Sequence, residues 1–385
     1  MDFELSADQK TIVKSVSDFV KKELPVTRMR RLREDPIGFS RDTWRQMGEL
    51  GWLGIAMPAE AGGFGGSFVD ASLVLEQFGT TLVSEPFAEC ALVAGHALLS
   101  GSAEQHGRWL APMLAGESVV ALAWAERAGR FDPARLGTRA ERRGDGWHLA
   151  GEKVWVLAGN AADQLVVSAR TSGADGEAGG VSLFVVDRNT AGVSVQPLRT
   201  MDGRRAAHVR LDCTVPGDRL LGAEGEALPA LARALDVGAA AACAEGHGVM
   251  KTALWMTIEY LRTREQFGAK IGTFQALQHR AVDMFIETEL LRSMAIMASI
   301  KIDEEDVAER QRAVSAAKVH LAQSGRLVSQ QSIQLHGGVG VTDEHDIGLY
   351  FKRMQVLASL WGDEEHHLAR FASLPGFTEG IESAA

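Results

Sequence analysis

Along the first 115 or so residues, apolar positions recur every three to four residues. In DQKTIVKSVSDFVKKEL, the residues Ile12, Val13, Val16, Phe19 and Val20 fall on one face, which is the spacing of an amphipathic helix. RDTWRQMGELGWLGIAM and ASLVLEQFGTTLV continue that pattern. Between them lies PAEAGGFGGS, with Gly62, Gly63, Gly65 and Gly66. No Lys-Ser/Thr follows and no strand–turn–helix context surrounds it, so a plain loop is expected there, not a phosphate cradle. From about 118 to 222 the period shortens. VVALAWAE, GWHLAGEKVWVLAG, DQLVVSART, VSLFVVD, GVSVQPL and HVRLDCTV are short β-rich runs separated by Gly, Asp and Asn. From 223 to about 372 the helical period returns. Phe274, Leu277, Ala281, Met284, Phe285, Thr288 and Leu291 form a stripe that predicts a bundle core. The tail LPGFTEGIESAA reads as frayed. The expected fold is α+β: an N-terminal helical domain (1–117), a middle antiparallel β-domain (118–222) and a C-terminal helical bundle (223–385). It lacks the βαβ alternation of a dinucleotide-binding enzyme, and no GxGxxG follows a strand.

Composition narrows the function classes. The 385 residues are 46% hydrophobic and carry a net charge of −10. A chain this acidic has no general attraction for nucleic acid or anionic lipid. The start, MDFELSADQ, lacks the basic and apolar runs of a signal peptide. No apolar run is long enough to span a bilayer; LPALARALDVGAAAAC carries Arg233 and Asp236. A cytoplasmic protein is expected. Cys90, Cys213 and Cys243 have no metal-ligand spacing and read as buried small residues.

The densest chemistry lies in LASLWGDEEHHLARF, where Asp363, Glu364 and Glu365 precede His366 and His367. Adjacent histidines point to different faces of a helix, whereas a metal site on a helix needs an i, i+4 pair. No metal is therefore expected. The acids and histidines together read as a solvated helix start, the acids favourable for the helix dipole.

Four stretches together resemble the acyl-CoA dehydrogenase family of flavoproteins: LGWLGIAMPAEAGGFGGSFVDASLVLEQFG, RRGDGWHLAGEKVWVLAGNAADQLVVSARTSG, RTREQFGAKIGTFQALQ and IQLHGGVGVTDEHDIGLYFKR. The resemblance implies a helical domain, a β-domain and a four-helix bundle, assembled as a tetramer with FAD at the dimer interface. It also implies an acyl-CoA substrate and electron-transfer flavoprotein as a partner. A carboxylate removes the α-proton of the thioester, and the flavin accepts the β-hydrogen as hydride. Arg264 resembles the arginine that reaches the FAD pyrophosphate of a neighbouring subunit, a task suited to a planar guanidinium. Phe267 would pack on the adenosine side. Gln275, Gln334, Gly337 and Gly338 resemble residues that approach the same half. Alone, Arg264 reads as a surface ion pair and Gly337 as a helix C-terminus. His336 reads as a loop or core histidine.

The flavin-ring side departs from the family. A Thr-Glu-Pro-Gly-Ser-Gly-Ser-Asp type of loop is replaced by Ala123 to Asp132, which carries bulky Arg127 and Arg130. The Thr/Ser that donates near flavin N5 becomes Leu157, which has no donor. Trp155 is kept, either to cover the ring or as a β-domain core residue. The usual catalytic glutamate falls on Trp361, and the next residue, Gly362, keeps the register. The alternative base position falls near Gly238 and Ala239; the nearest acids are Asp236 and Glu245, and helical geometry turns Glu245 to another face. A positioned base contributes ~10²–10⁴-fold, and Trp has no basic atom.

Three functions follow. The chain is a base-lacking subunit of an α2β2 dehydrogenase, of the kind acting on steroid side-chain thioesters, its partner supplying the glutamate. Or it is a self-sufficient homomeric enzyme with the base moved to Asp363 or Glu364. Or it is a flavin-free binding subunit.

Overall fold

The first amphipathic repeat becomes helix α1 (Ala7–Glu23), started by a reciprocal capping box between Ser6 and Gln9. Val16 and Val20 on its inner face are fully buried. The computed structural model describes residues 4–376. The part of the frayed tail from Phe377 onward lies outside them. Within the described residues the chain divides into two units made of interleaved segments.

Among the described residues the helical unit comprises 4–30, 68–83 and 239–376. It holds α1, α2 (Phe68–Thr81), the length of α3 (Leu228–Thr263) from Ala239 on, α4 (Gln275–Lys301), α5 (Val307–His336), α6 (Ile347–Ser359) and α7 (Glu364–Ser373). Helix α5 is central, packing against α4, α6 and α7. Helix α3 carries AAAACAEGHG here, and Ala239 through Met250 are all buried. The small residues let α2 and α3 touch backbone to backbone. A Cβ on Gly79 would stand 2.3 Å from Glu245 O, and one on Gly248 would stand 2.0 Å from Glu76 O.

Charged groups line this crossing. Arg353 of α6 clamps both oxygens of Glu245 at 2.7 and 2.6 Å, with both side chains almost fully buried. Tyr350 donates its hydroxyl to Thr80 O at 2.6 Å. Glu76 takes His247 at 3.3 Å and Lys251 at 3.2 Å. Burial alone would raise the Glu76 carboxyl, but these two partners outweigh it and hold it at about 2.

The second unit, residues 31–67 and 84–238, is built on an eight-stranded sheet. Its strands are β1 (Val120–Ala123), β2 (Arg139–Arg143), β3 (Gly146–Leu157), β4 (Gln164–Arg170), β5 (Val181–Asp187), β6 (Val193–Arg199), β7 (Arg205–Pro216) and β8 (Leu220–Leu221). The path runs β6-β7-β3-β2-β4-β5-β8, with β1 beside β4. Most pairings are antiparallel as expected, while β1 and β2 each run parallel to β4. Trp147 meets Phe184 edge-on in the core, with ring centroids 5.3 Å apart. The ladder between β3 and β7 slips between Lys153 and Val156, where Trp155 takes φ +52°. PAEAGGFGGS is a 3-10 turn and loop, and all three cysteines are buried.

The expected stripe on α4 needs correction. Met284, Thr288 and Leu291 are buried, but Phe285 is 46% exposed and Phe274 37%. Phe285 belongs instead to a second apolar face with Val282, Ile286 and Leu290, which this chain leaves in solvent. Periodicity locates an apolar face but does not name what covers it.

Replacing Arg353 by Leu removes the bidentate partner of a buried carboxylate. The expected cost is ~3–5 kcal/mol, read from urea unfolding. A loss below ~1 kcal/mol would mean the pair is solvated.

Candidate functional site

A cavity of about 560 Å³ lies in the helical unit, between the end of α3, the start of α4 and the end of α5. At the end of α3 the chain makes a tight hairpin, Glu265–Gln266 with Ala269–Lys270. Phe267 (φ +55°) and Gly268 (φ +77°) form its turn. At the end of α5, Gly337 takes φ 60° and ψ −142°, a region essentially reserved for glycine. Nothing lies within 4 Å of a Cβ built on Gly337 or Gly338, so the cavity side of this backbone is open.

Four of the sequence-predicted residues, Arg264, Gln334, Gly337 and Gly338, share this wall. Phe267 and Gln275 are not in it. Phe267 stands 92% exposed at the hairpin tip, its ring 6.2 Å from that of Phe274. Arg264 is exposed, and its guanidinium has no carboxylate partner among the described residues. Sequence reading missed Tyr260 and Arg280, which also line the cavity. Tyr260 lies one turn before Arg264, so helical spacing could have flagged it; Arg280 lies five residues after Gln275, on a different face, and carried no such signal.

His336 also lines this cavity; it is buried between the rings of Tyr260 (4.6 Å) and His345 (4.5 Å). Its Nδ1 lies 2.8 Å from Ser332 O and donates to it; Nε2 has no partner among the described residues. Burial lowers its affinity for a proton, so the ring is neutral.

The α6–α7 junction is held from several sides. Lys318 donates to Leu357 O (2.7 Å) and Ala358 O (3.3 Å), closing the end of α6. Burial pulls its ammonium down to about 8. Trp361 is 8% exposed and adopts φ +54°, uncommon for a bulky residue. His367 Nε2 lies 3.2 Å from Trp361 O. A Cβ on Gly362, at φ +118°, would stand 2.5 Å from that same nitrogen. Asp363 is the N-cap of α7 and accepts from His366 N at 2.9 Å. Glu364 accepts from Gln323 and Arg326, both at 2.8 Å. His367 corrects the expectation of a solvated cluster: it is fully buried, and burial beside Arg370 and Lys318 pushes its imidazole to about 2. On α3, Glu245 is held by Arg353, and Asp236 is fully buried.

In the sheet unit, Lys153 is buried and donates to Glu126 Oε1 (2.6 Å), Ser168 Oγ (3.1 Å) and Trp124 O (3.3 Å). Burial brings Lys153 down to about 8. Burial would raise Glu126, but Lys153 outweighs it and keeps the carboxyl low. Gly137 and Thr138 donate their backbone N–H groups to Glu126. Trp155 is 56% exposed, so it is not a core residue; its ring is 6.1 Å from His208.

Comparison with known proteins identifies the class. The acyl-CoA dehydrogenase N-terminal domain model matches residues 6–117, the middle domain 121–213 and the C-terminal domain 228–373. A probable acyl-CoA dehydrogenase of Bacillus subtilis, YngJ, is 30% identical over 90% of this chain and 92% of its own. A variant of the Tcur3481-Tcur3483 steroid ACAD superposes with TM-score 0.85 at 30% identity, covering 97% of this chain and 99% of its own. The ChsE4-ChsE5 complex of Mycobacterium tuberculosis gives TM-score 0.86 at 27% identity, covering 100% and 99%. The chain belongs to the acyl-CoA dehydrogenase family of FAD-dependent oxidoreductases. The cavity suits the pyrophosphate end of that cofactor: two guanidinium groups, an open glycine backbone and an amide side chain meet there.

Because folded His367 titrates near 2 and an unfolded histidine near ~6.5, the unfolded chain binds the extra proton. The stability contributed by neutral His367 is full above pH ~6.5 and falls toward pH 2 by ~1.4 kcal/mol per unit. His367→Asn removes this slope. The difference in unfolding free energy between wild type and variant should shrink by that amount per unit from pH 6 to 4. A constant difference would mean that His367 is protonated in the fold.

Proposed function

We propose that this chain is the base-lacking subunit of a heteromeric acyl-CoA dehydrogenase, whose glutamate comes from a second dehydrogenase subunit. One observation carries this reading. The position that corresponds to the family's base holds a buried tryptophan, Trp361, and the neighbouring carboxylates are engaged, Asp363 as a helix cap and Glu364 by Arg326 and Gln323. These contacts weigh against a base relocated to Asp363 or Glu364.

In this reading Arg264, joined by Arg280, holds the FAD pyrophosphate at the subunit interface. Gly337 and Gly338 let the cofactor approach the backbone, and Gln334 and Gln275 hydrogen-bond the same half. Phe267, exposed at its hairpin tip, packs on the adenosine side. Trp155 lies on the ring side, where Leu157 offers no donor. When bound, FAD supplies the acceptor for the β-hydrogen of the acyl-CoA thioester. The partner's carboxylate removes the α-proton, and electron-transfer flavoprotein carries the electrons away. The apolar face Val282, Phe285, Ile286 and Leu290 supports an obligate partner, because such a patch is unfavourable in solvent. One structure named above is a two-component complex, ChsE4-ChsE5, and another is a steroid ACAD. We therefore assign a bulky acyl-CoA, of the steroid side-chain class, as the substrate.

The test is co-expression with a dehydrogenase chain that retains its glutamate. The expected complex contains both chains and about one FAD per pair, and an acyl-CoA bleaches it; this chain alone does neither. Arg264→Ala in the complex should weaken FAD binding ~10–100-fold, the scale of a lost charge-assisted bidentate contact. Stoichiometric FAD and acyl-CoA oxidation by the isolated chain would overturn the proposal.

A further inference from the structure

The slip in β3 decides which way Trp155 points. Before it, Trp147, Leu149 and Lys153 face the core and are buried. After it the phase is reversed: Val154 and Val156 are buried and Trp155 stands outward. Two residues of β3, Val154 and Trp155, lie opposite one residue of β7, His208, which makes the slip a β-bulge. Continued in its first phase, the strand would bury Trp155 and expose Val156.

A bulge of this kind needs support. Trp155 holds φ +52°, a conformation that a bulky residue keeps only where its surroundings over-determine it. The support comes from the loop that follows β1. Val154 donates its backbone N–H to Ala125 O of that loop at 2.9 Å, in place of a ladder bond to β7. Its neighbour Lys153 is fully buried and sends its ammonium to Trp124 O (3.3 Å), Glu126 Oε1 (2.6 Å) and Ser168 Oγ (3.1 Å). Glu126 is fixed in turn by the backbone N–H groups of Gly137 (2.7 Å) and Thr138 (3.1 Å). A buried ammonium persists only with such partners. The loop and the bulge are thus tied together at residues 153 and 154.

We propose that Lys153 is a positioning residue, which locks the β3 bulge through Trp124 and Glu126 and so keeps the Trp155 indole on the outer face of the sheet. Being fully buried, Lys153 reaches no ligand itself; it acts through Trp155 and the loop. The inference rests on the reading above only for what Trp155 faces, the ring side of the cofactor. The bulge and its tie belong to the chain without FAD.

The test uses the full chain without cofactor or partner, so its outcome is separate from that of the heteromer. The Trp155 signal is the difference between each protein and its Trp155→Phe counterpart. In Lys153→Met, acrylamide quenching of Trp155 should fall at least ~2-fold as the strand returns to its first phase, while the remaining tryptophans are unchanged. Titration gives a second reading that needs no variant at 153. Burial lowers the Lys153 ammonium to about 8, against the raising effect of Glu126. Glu126 is the charged group against it; β4 contributes Ser168 and β7 Val209, both uncharged. Trp155 emission should therefore change with a midpoint near 8 in the wild type. Glu126→Gln removes the raising partner and should move that midpoint lower. If Lys153→Met does not fold, the titration decides alone. The proposal is overturned if folded Lys153→Met leaves Trp155 quenching unchanged or if its effect persists in the Trp155→Phe background. It is equally overturned if wild-type Trp155 emission is flat from about pH 7 to 9.5, or if Glu126→Gln leaves the midpoint in place.

Discussion

The helical unit depends on one close crossing. Gly79 of α2 and Gly248 of α3 bring two backbones into contact, with no space for a side-chain carbon at either position. That constraint explains the composition of α3. Its run of alanines and glycines, buried on all sides, would be a weak helix by burial area alone, yet it is what permits the approach. The crossing also fixes the polar groups around it, because Glu245, Glu76 and His247 all lie within a turn of the contact. Buried charges in such a place must be paired, and Arg353 and Lys251 meet that demand. The same crowding bears on chemistry. Ala239, near which the resemblance would put an alternative base, is 1% exposed, and a carboxylate introduced into this helix would need its own buried partner.

Much of the architecture was legible from period alone. The change from a helical to an alternating pattern near residue 118 and back near 223 marks the extent of the sheet, and turn residues mark its strands. The interleaving of the two units was not legible, because α2 packs with helices more than 150 residues later and local periodicity carries no such information. The same limit explains α4. Phe285 fits a core stripe by spacing, but Met284 and Thr288 beside it take the inner face and Phe285 turns outward.

The candidate site was legible where chemistry is written in short motifs. Arg264 lies far in sequence from the segment holding Gln334, Gly337 and Gly338, yet all four line one cavity. Tyr260 and Arg280 lacked such a motif. Lys318 and His367 were illegible for a different reason. A lysine or histidine in a helix usually reads as solvated, and only the fold reveals that both are buried against the carbonyls of the α6–α7 junction.

That junction explains how a tryptophan is held in a place associated with a base. The backbone at residues 361 and 362 is set by Lys318 on one side and by His367 and the Asp363 cap on the other, through groups independent of the side chain at 361. Gly362 is required because His367 fills the space of a Cβ. The scaffold can therefore persist while the side chain it presents changes from a carboxylate to an indole. Proton abstraction depends on one side chain and can be lost by one substitution. The cavity wall, by contrast, is built by several residues from or next to three helices. The position at 361 is thus separable from the cavity wall, because the two share no residue.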